Sequence, residues 1–158
     1  MRVQYEIRRA VLGDLERILQ IEKASFGAEA YDCKLFASYL RRCGELFLVV
    51  ERRGKVCGYI VSCLRSTSSP RRAELVSVAV DPARRGSGAA SALLDSTLRR
   101  LRRRRVAQLQ LVVRVNNRPA LAFYEKYGFR AKRRVPRYYE DGGDGIAMVR
   151  PVTPPTLP

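Results

Sequence analysis

The chain has 158 residues, 46% of them hydrophobic, with 31 Lys and Arg against 15 Asp and Glu, a net charge of +16 and no histidine. That length is one domain's worth and can bury a single substantial core, and the composition excludes a disordered chain. No apolar run approaches the roughly 18 residues of a membrane span and the opening MRVQYEIRRA has no signal-peptide core, so a cytoplasmic protein without a membrane partner is expected.

Val3, Tyr5 and Ile7 alternate with polar neighbours and read as a first strand. Asp14 is placed to cap a helix carrying Leu15, Ile18, Leu19 and Glu22 that ends near Phe26-Gly27, and Asp32 to cap a second with Leu35, Phe36, Tyr39 and Leu40 inward and Gly44 as its stop. Residues 46–51 and 55–64 predict strands joined through Arg53-Gly54, and a polar loop over Ser66–Arg72 leads to a third strand, Glu74–Val80. Asp81-Pro82 stops that strand, and a helix follows from Ala89 with Leu93, Leu94 and Leu98 on one face.

The arginine run 99–105 then reads as a solvated helix end complementing the helix dipole. Residues 109–113 predict a strand, Asn117 caps a helix with Pro119 in its first turn and Gly128 just past its end, and residues 129–135 and 146–150 close the sheet. The tail 151–158 is expected to be disordered beyond a domain spanning residues 1–150. The resulting order, βααβββαβαββ, is mixed α/β with helices over both faces of one sheet.

Four cysteines without a Cys-x-x-Cys and without histidine argue against zinc. Cys33 and Cys43 on one helix would lie about 15 Å apart, and Cys57 and Cys63 on one strand about 20 Å, both beyond bridging distance. An intramolecular bridge would therefore join one pair to the other, whereas a reducing compartment predicts free buried thiols.

The strand, small-residue loop and helix N-terminus over Glu74–Leu98 together make an anion cradle, because backbone N–H groups converge there at the positive end of a helix dipole. It is neither a Walker loop nor a Rossmann fingerprint. Arg85-x-x-Gly88-x-Ala90 after Val78-Ala79-Val80, followed by Leu109–Val113, Asn117 and Ala122-Phe123-Tyr124-Glu125-Lys126-Tyr127-Gly128-Phe129, closely resembles the GNAT acetyltransferase superfamily. Within it, residues 5–150 resemble the RimI-like and archaeal protein N-terminal acetyltransferases. The resemblance implies a sheet with splayed central strands, acetyl-CoA as cosubstrate without a metal, and protein or peptide N-termini as acceptors, with a ribosome as a suitable partner for the basic surface.

By the same resemblance, the backbone of Val78, Ala79 and Val80 would meet the pantetheine arm, and Arg85, Gly86, Ser87, Gly88, Ala89, Ala90 and Ser91 would wrap the pyrophosphate. Asn117 and Tyr124 would also meet the coenzyme, with Tyr124 as general acid to the leaving thiolate. Glu74 matches a glutamate base of many members; the alternative is a charged residue paired with a neighbouring arginine. The RimI-like pattern Leu-Glu-Val-Arg-x-x-Asn is broken here, where Leu111-Val112-Val113-Arg114-Val115-Asn116-Asn117 carries Val112 at the glutamate position. Glu29 and Tyr31 on one loop, and Tyr138 and Tyr139 on another, would hold the acceptor.

Three functions remain in competition at this level. One is N-terminal acetylation, the second is a related enzyme acting on lysine or a small amine, and the third is a basic module docking on RNA or the ribosome. The arginine run lacks the interleaved aromatics that would support base stacking.

Overall fold

The computed structural model describes residues 4–66, 68 and 70–152, and for Glu29 and Ser66 the backbone alone. Its elements are β1 (Glu6–Arg9), α1 (Leu15–Phe26), α2 (Cys33–Cys43), β2 (Phe47–Arg52), β3 (Lys55–Ser66), β4 (Arg71–Val80), α3 (Ala89–Arg103), β5 (Val106–Arg114), α4 (Arg118–Lys126), β6 (Arg130–Val135) and β7 (Gly145–Pro151). The strands form one mixed sheet in the order β1-β2-β3-β4-β5-β7-β6. β1–β2, β2–β3, β5–β7 and β6–β7 pair antiparallel, and β4–β5 pairs parallel from Arg71↔Val106 to Glu74↔Gln110. By contacts the chain divides into two compact units, residues 1–63 with Leu75–Leu101, and Leu64–Glu74 with residues 102–158.

In the first unit, the apolar stripe of α1 buries Leu15, Ile18 and Ile21, and α2 adds Phe36. Phe36 meets the Tyr59 ring edge-on at 5.4 Å and the Phe47 ring at 6.1 Å, all three fully buried; burying such a side chain is worth roughly 1.5–3 kcal/mol. Asp32 caps α2 as expected, accepting from the Leu35 N–H at 2.9 Å. The β2–β3 hairpin turns through Arg53 (φ 51°) and Gly54 (φ 76°), the left-handed pair that a two-residue turn of matching twist demands. Gly58 lets the neighbouring strands close up, since a Cβ there would stand 2.9 Å from Val50 Cγ1 and 3.0 Å from the Ala79 carbonyl. Arg17 of α1 holds the end of β4, donating to the Asp81 carboxylate and, at 3.0 Å, to the Val56 carbonyl.

The first strand begins at Glu6, and Val3 lies outside the described residues. Asp14 does not cap α1: it sits in a short 3-10 turn, and its carboxylate instead accepts from the Val11 N–H and from the Arg8 guanidinium at 2.8 Å. Arg8 fixes it there while also pairing with Glu51. A disulfide joins Cys43 to Cys63, one from each pair that spacing kept apart, so these two are not free thiols; Cys57 is buried and free, and Cys33 is free but exposed.

In the second unit, Leu109, Leu111, Phe129 and Met148 form the buried centre. Asn117 caps α4 by accepting from the Ala120 N–H at 3.2 Å, and Gly128 (φ 84°) follows the helix end. β7 runs one residue past the expected domain edge, and Val152 is buried with its N–H on the Ala107 carbonyl at 3.0 Å. Pro151 and Val152 therefore belong to the fold, while residues 153–158 of the expected tail lie outside the described residues. The Arg102 guanidinium donates to the Val152 carbonyl at 3.2 Å.

Candidate active site

The sequence-predicted residues gather in two groups, one within each unit. In the first, β4 delivers Val78, Ala79 and Val80 to the turn at Asp81-Pro82, and Gly86 (φ 77°) and Gly88 (φ 90°) bend the chain into α3. No atom lies within 4 Å of where a Cβ at either glycine would stand, so the loop is open. The Ala92 N–H is the one that reaches the Gly88 carbonyl, at 3.0 Å, leaving the N–H groups of Ala89, Ala90 and Ser91 before the first helical bond, as helix geometry requires. Three free donors, the dipole's positive end and the Arg84 and Arg85 side chains suit a pyrophosphate. Ser87 is fastened to the Tyr5 hydroxyl and the Arg84 carbonyl, and the Arg85 guanidinium to Ser25 Oγ at 3.3 Å.

Also in the first unit, the loop carrying Glu29 and Tyr31 is tied down from below. The Tyr31 N–H donates to Glu22 at 2.9 Å, and the other Glu22 oxygen takes the Tyr59 hydroxyl, which contacts Ser77 Oγ on β4 at 2.9 Å. Glu22 is only 1% exposed; burial raises its carboxyl above the ordinary carboxylate range, against the opposing pull of the Tyr31 and Tyr59 hydrogen bonds. The Tyr31 ring packs edge-on against Phe36 and Tyr39. The side chain of Glu29 lies outside the described residues.

The second unit contains a pocket of about 170 Å³ lined by Glu74, Arg65, Val112, Tyr138, Lys132 and Arg133 among others. Glu74 is ion-paired with Arg65 of β3, and its side chain is 17% exposed against 60% for the arginine. Val112 reaches the same pocket, and Gly145 is what admits it: a Cβ at 145 would stand 2.5 Å from Val112 Cγ1 and 3.4 Å from Tyr138 Cβ. Tyr138 and Tyr139 stack edge-on at 5.0 Å, and the Arg114 guanidinium lies 4.0 Å over the Tyr139 ring. Two of the loop's three acids are engaged, Asp141 with Arg114 at 3.0 Å and Asp144 with Arg134 at 2.6 Å and the Arg137 N–H.

Tyr124 of α4 packs edge-on against Phe123 and Phe129. Burial, with a smaller push from Tyr139, holds its phenol above the usual tyrosine value, so across neutral pH it is a proton donor. Sequence reading missed Tyr5, Arg65 and the Glu22–Tyr59–Ser77 chain. Only Glu22 carried a signal, a lone carboxylate on the apolar face of α1.

The sequence profile of the acetyltransferase (GNAT) family matches residues 14–129. The N-alpha-acetyltransferase of Sulfolobus acidocaldarius is 32% identical, over 96% of this chain and 95% of its own. Among solved structures, Ard1 from Thermoplasma volcanium superposes with a TM-score of 0.89 at 33% identity, over 95% of this chain and 99% of that one. The ribosomal-protein-S18-alanine N-acetyltransferase from Escherichia coli does so with a TM-score of 0.79 at 30% identity, over 98% and 99%. With the cradle on α3, the protonated tyrosine on α4 and this likeness along its whole length, the chain belongs to the GNAT family and is an acetyl-CoA-dependent N-acetyltransferase.

Proposed function

We propose that the enzyme acetylates the N-terminal α-amine of proteins, by direct attack in a ternary complex. The observation that carries this reading is the Glu74 pocket, where a carboxylate held by Arg65 lies with Tyr138 of the acceptor loop, in a chain alike over its length to N-alpha-acetyltransferases. The cosubstrate supplies an acetyl group already activated as a thioester. The N–H groups of Ala89, Ala90 and Ser91, with Arg85, Gly86, Ser87 and Gly88, bind its pyrophosphate, and the backbone of Val78, Ala79 and Val80 orients its amides. Asn117 is a further coenzyme contact beside its capping role. Glu29, Tyr31, Tyr138 and Tyr139 are the acceptor contacts.

The chemistry asked of the side chains is modest. Glu74 removes the proton of the attacking amine, directly or through water, and Tyr124 gives one to the departing sulfur, so one proton is taken and one returned. An α-amine has a pKa of about 8, which a weak base suffices to deprotonate; a lysine amine near 10.4 asks for more. Val112 has no proton to move, which leaves that task to Glu74. A ribosomal protein among the acceptors is the finer reading, supported by the likeness to the Escherichia coli enzyme and by the chain's charge. RNA docking through residues 99–105 is weaker, because the Arg100 and Arg102 guanidiniums are engaged on the backbone carbonyls of Glu45 and Val152.

Thermal unfolding with and without millimolar acetyl-CoA tests the cradle, since a ligand of the native state raises the midpoint by mass action. A peptide panel varied only at residue one, set against a blocked peptide with an internal lysine, tests the acceptor. No thermal shift removes the coenzyme assignments, and acetylation of the lysine peptide alone removes the α-amine reading.

A further inference from the structure

The ladder of the second unit lays out a charged floor whose use the proposed reaction does not explain. Glu74 pairs with Gln110, Gln110 with Val149, and Val149 with Arg130, making one row across β4, β5, β7 and β6. The next row is Val112, Ala147 and Arg133. Neighbouring strand residues normally face opposite sides of a sheet, yet Lys132 and Arg133 both line the Glu74 pocket. The cause is in the register: β6 slips against β7 between Ala131, opposite Met148, and Arg133, opposite Ala147, so that Lys132 is an extra residue. A bulge of this kind re-aims a side chain. Both residues are exposed, on a strand at the sheet's edge.

Charge sharpens the picture. Arg65 is matched by Glu74, and Asp141 and Asp144 of the acceptor loop are matched by Arg114 and Arg134. Among the described residues Lys132 and Arg133 have no ion-pair partner, so the pocket has Glu74 at one end and two unmatched cations at the other.

We propose that Lys132 and Arg133 select acceptors with acidic side chains a few residues behind the amine. The inference rests on the reading in which the amine is deprotonated at Glu74. From β4 to β6 is three strand spacings, about 14 Å, and an extended chain advances about 3.4 Å per residue. A peptide with its amine at Glu74 therefore spends four residues before it reaches the β6 backbone, and the length of the Lys and Arg stems brings the third and fourth of these within reach. The recognised feature is a carboxylate at residues three and four of the acceptor.

The test uses hexapeptides with a common, accepted residue one and Asp, Asn or Lys at residues three and four. With the intact enzyme at low salt, the Asp peptide should exceed the Lys peptide in kcat/KM by about tenfold, as expected for reversing charge opposite two partly solvated cations, mostly through KM. The gap should narrow as salt is raised to 0.3 M. The double variant Lys132→Glu, Arg133→Glu should reverse the ranking of the Asp and Lys peptides, and its thermal midpoint with acetyl-CoA reports that it is folded. If it does not fold, Lys132→Ala and Arg133→Ala taken singly should each shrink the preference. Equal rates for all three peptides, or a ranking unmoved by the variants, would overturn the selection while leaving N-terminal acetylation standing. Acetylation of no peptide in the panel, with the thermal shift by acetyl-CoA intact, would overturn both.

Discussion

Replacing Glu74 by Gln separates a base from a mere ion-pair partner, because the structure sets the two costs far apart. The lost pair is with an arginine whose side chain is 60% exposed, so water takes over the guanidinium and the stability cost should stay below about 1 kcal/mol, or about 2–4 °C in a chain of this size. The lost base is worth more: general base catalysis typically contributes about 10²–10⁴-fold, which is about 3–5 kcal/mol of barrier. Turnover of a good peptide, followed by release of the coenzyme thiol at pH 7, should fall by that factor with coenzyme and peptide affinities unchanged. The deficit should shrink as pH rises past about 8, where the amine loses its proton unaided. Tyr124→Phe should instead stay slow at high pH, because the proton donor to sulfur is missing. Turnover of Glu74→Gln within about threefold of the parent at pH 7, with both ligands bound normally, would refute the base, and Glu74 would then serve to hold Arg65.

Gly88→Glu should abolish acetyl-CoA binding by calorimetry with a stability loss of about 1 kcal/mol, since its φ of 90° strains a side chain while the space around it is open; retained affinity would reduce the loop to a turn. Gly58→Ala should cost about 1–3 kcal/mol of stability by overpacking, its Cβ pressing on Val50 and on the Ala79 carbonyl of β4, and an unchanged melting midpoint would show that the strands yield. The Arg8 guanidinium, followed by the Val11 N–H, holds the Asp14 carboxyl below its ordinary range. That stability is present above about pH 3.9 and is lost as pH falls through the lower folded value, so Asp14→Asn should melt earlier than the parent at pH 7 and together with it at the acid end. Glu22 has the opposite sign: burial raises its folded pKa, so its contribution is full below about pH 4.3 and is lost as pH rises through the folded value. Glu22→Gln keeps an acceptor for the Tyr31 N–H and should remove that decline, seen as a flatter melting midpoint between pH 4 and 8.

What the chain determined alone was whatever depends on near neighbours. The period of Leu15, Ile18 and Glu22, the caps at Asp32 and Asn117, the hairpin turn at Arg53-Gly54 and the glycine bend before α3 all lie within a few residues of what they control, so pattern sufficed to place every element in order. Cysteine spacing likewise excluded pairings within a helix or a strand, although only the fold brought the Cα atoms of Cys43 and Cys63 to 4.7 Å. Asp14 was misread because a cap and a partner for Arg8 look the same in sequence; the guanidinium six residues earlier drew its carboxylate away from the helix. The tertiary structure decided everything that depends on register and burial: Glu74 on Arg65, Val112 admitted by Gly145, and Glu22 under the Tyr31 loop. Lys132 and Arg133 share one pocket only because β6 slips by a residue against β7. The energies of such contacts arise only once the strands are paired and water is excluded, so local pattern could suggest an arginine partner for Glu74 and an unusual carboxylate at Glu22 but could not choose which arginine or which loop each would hold.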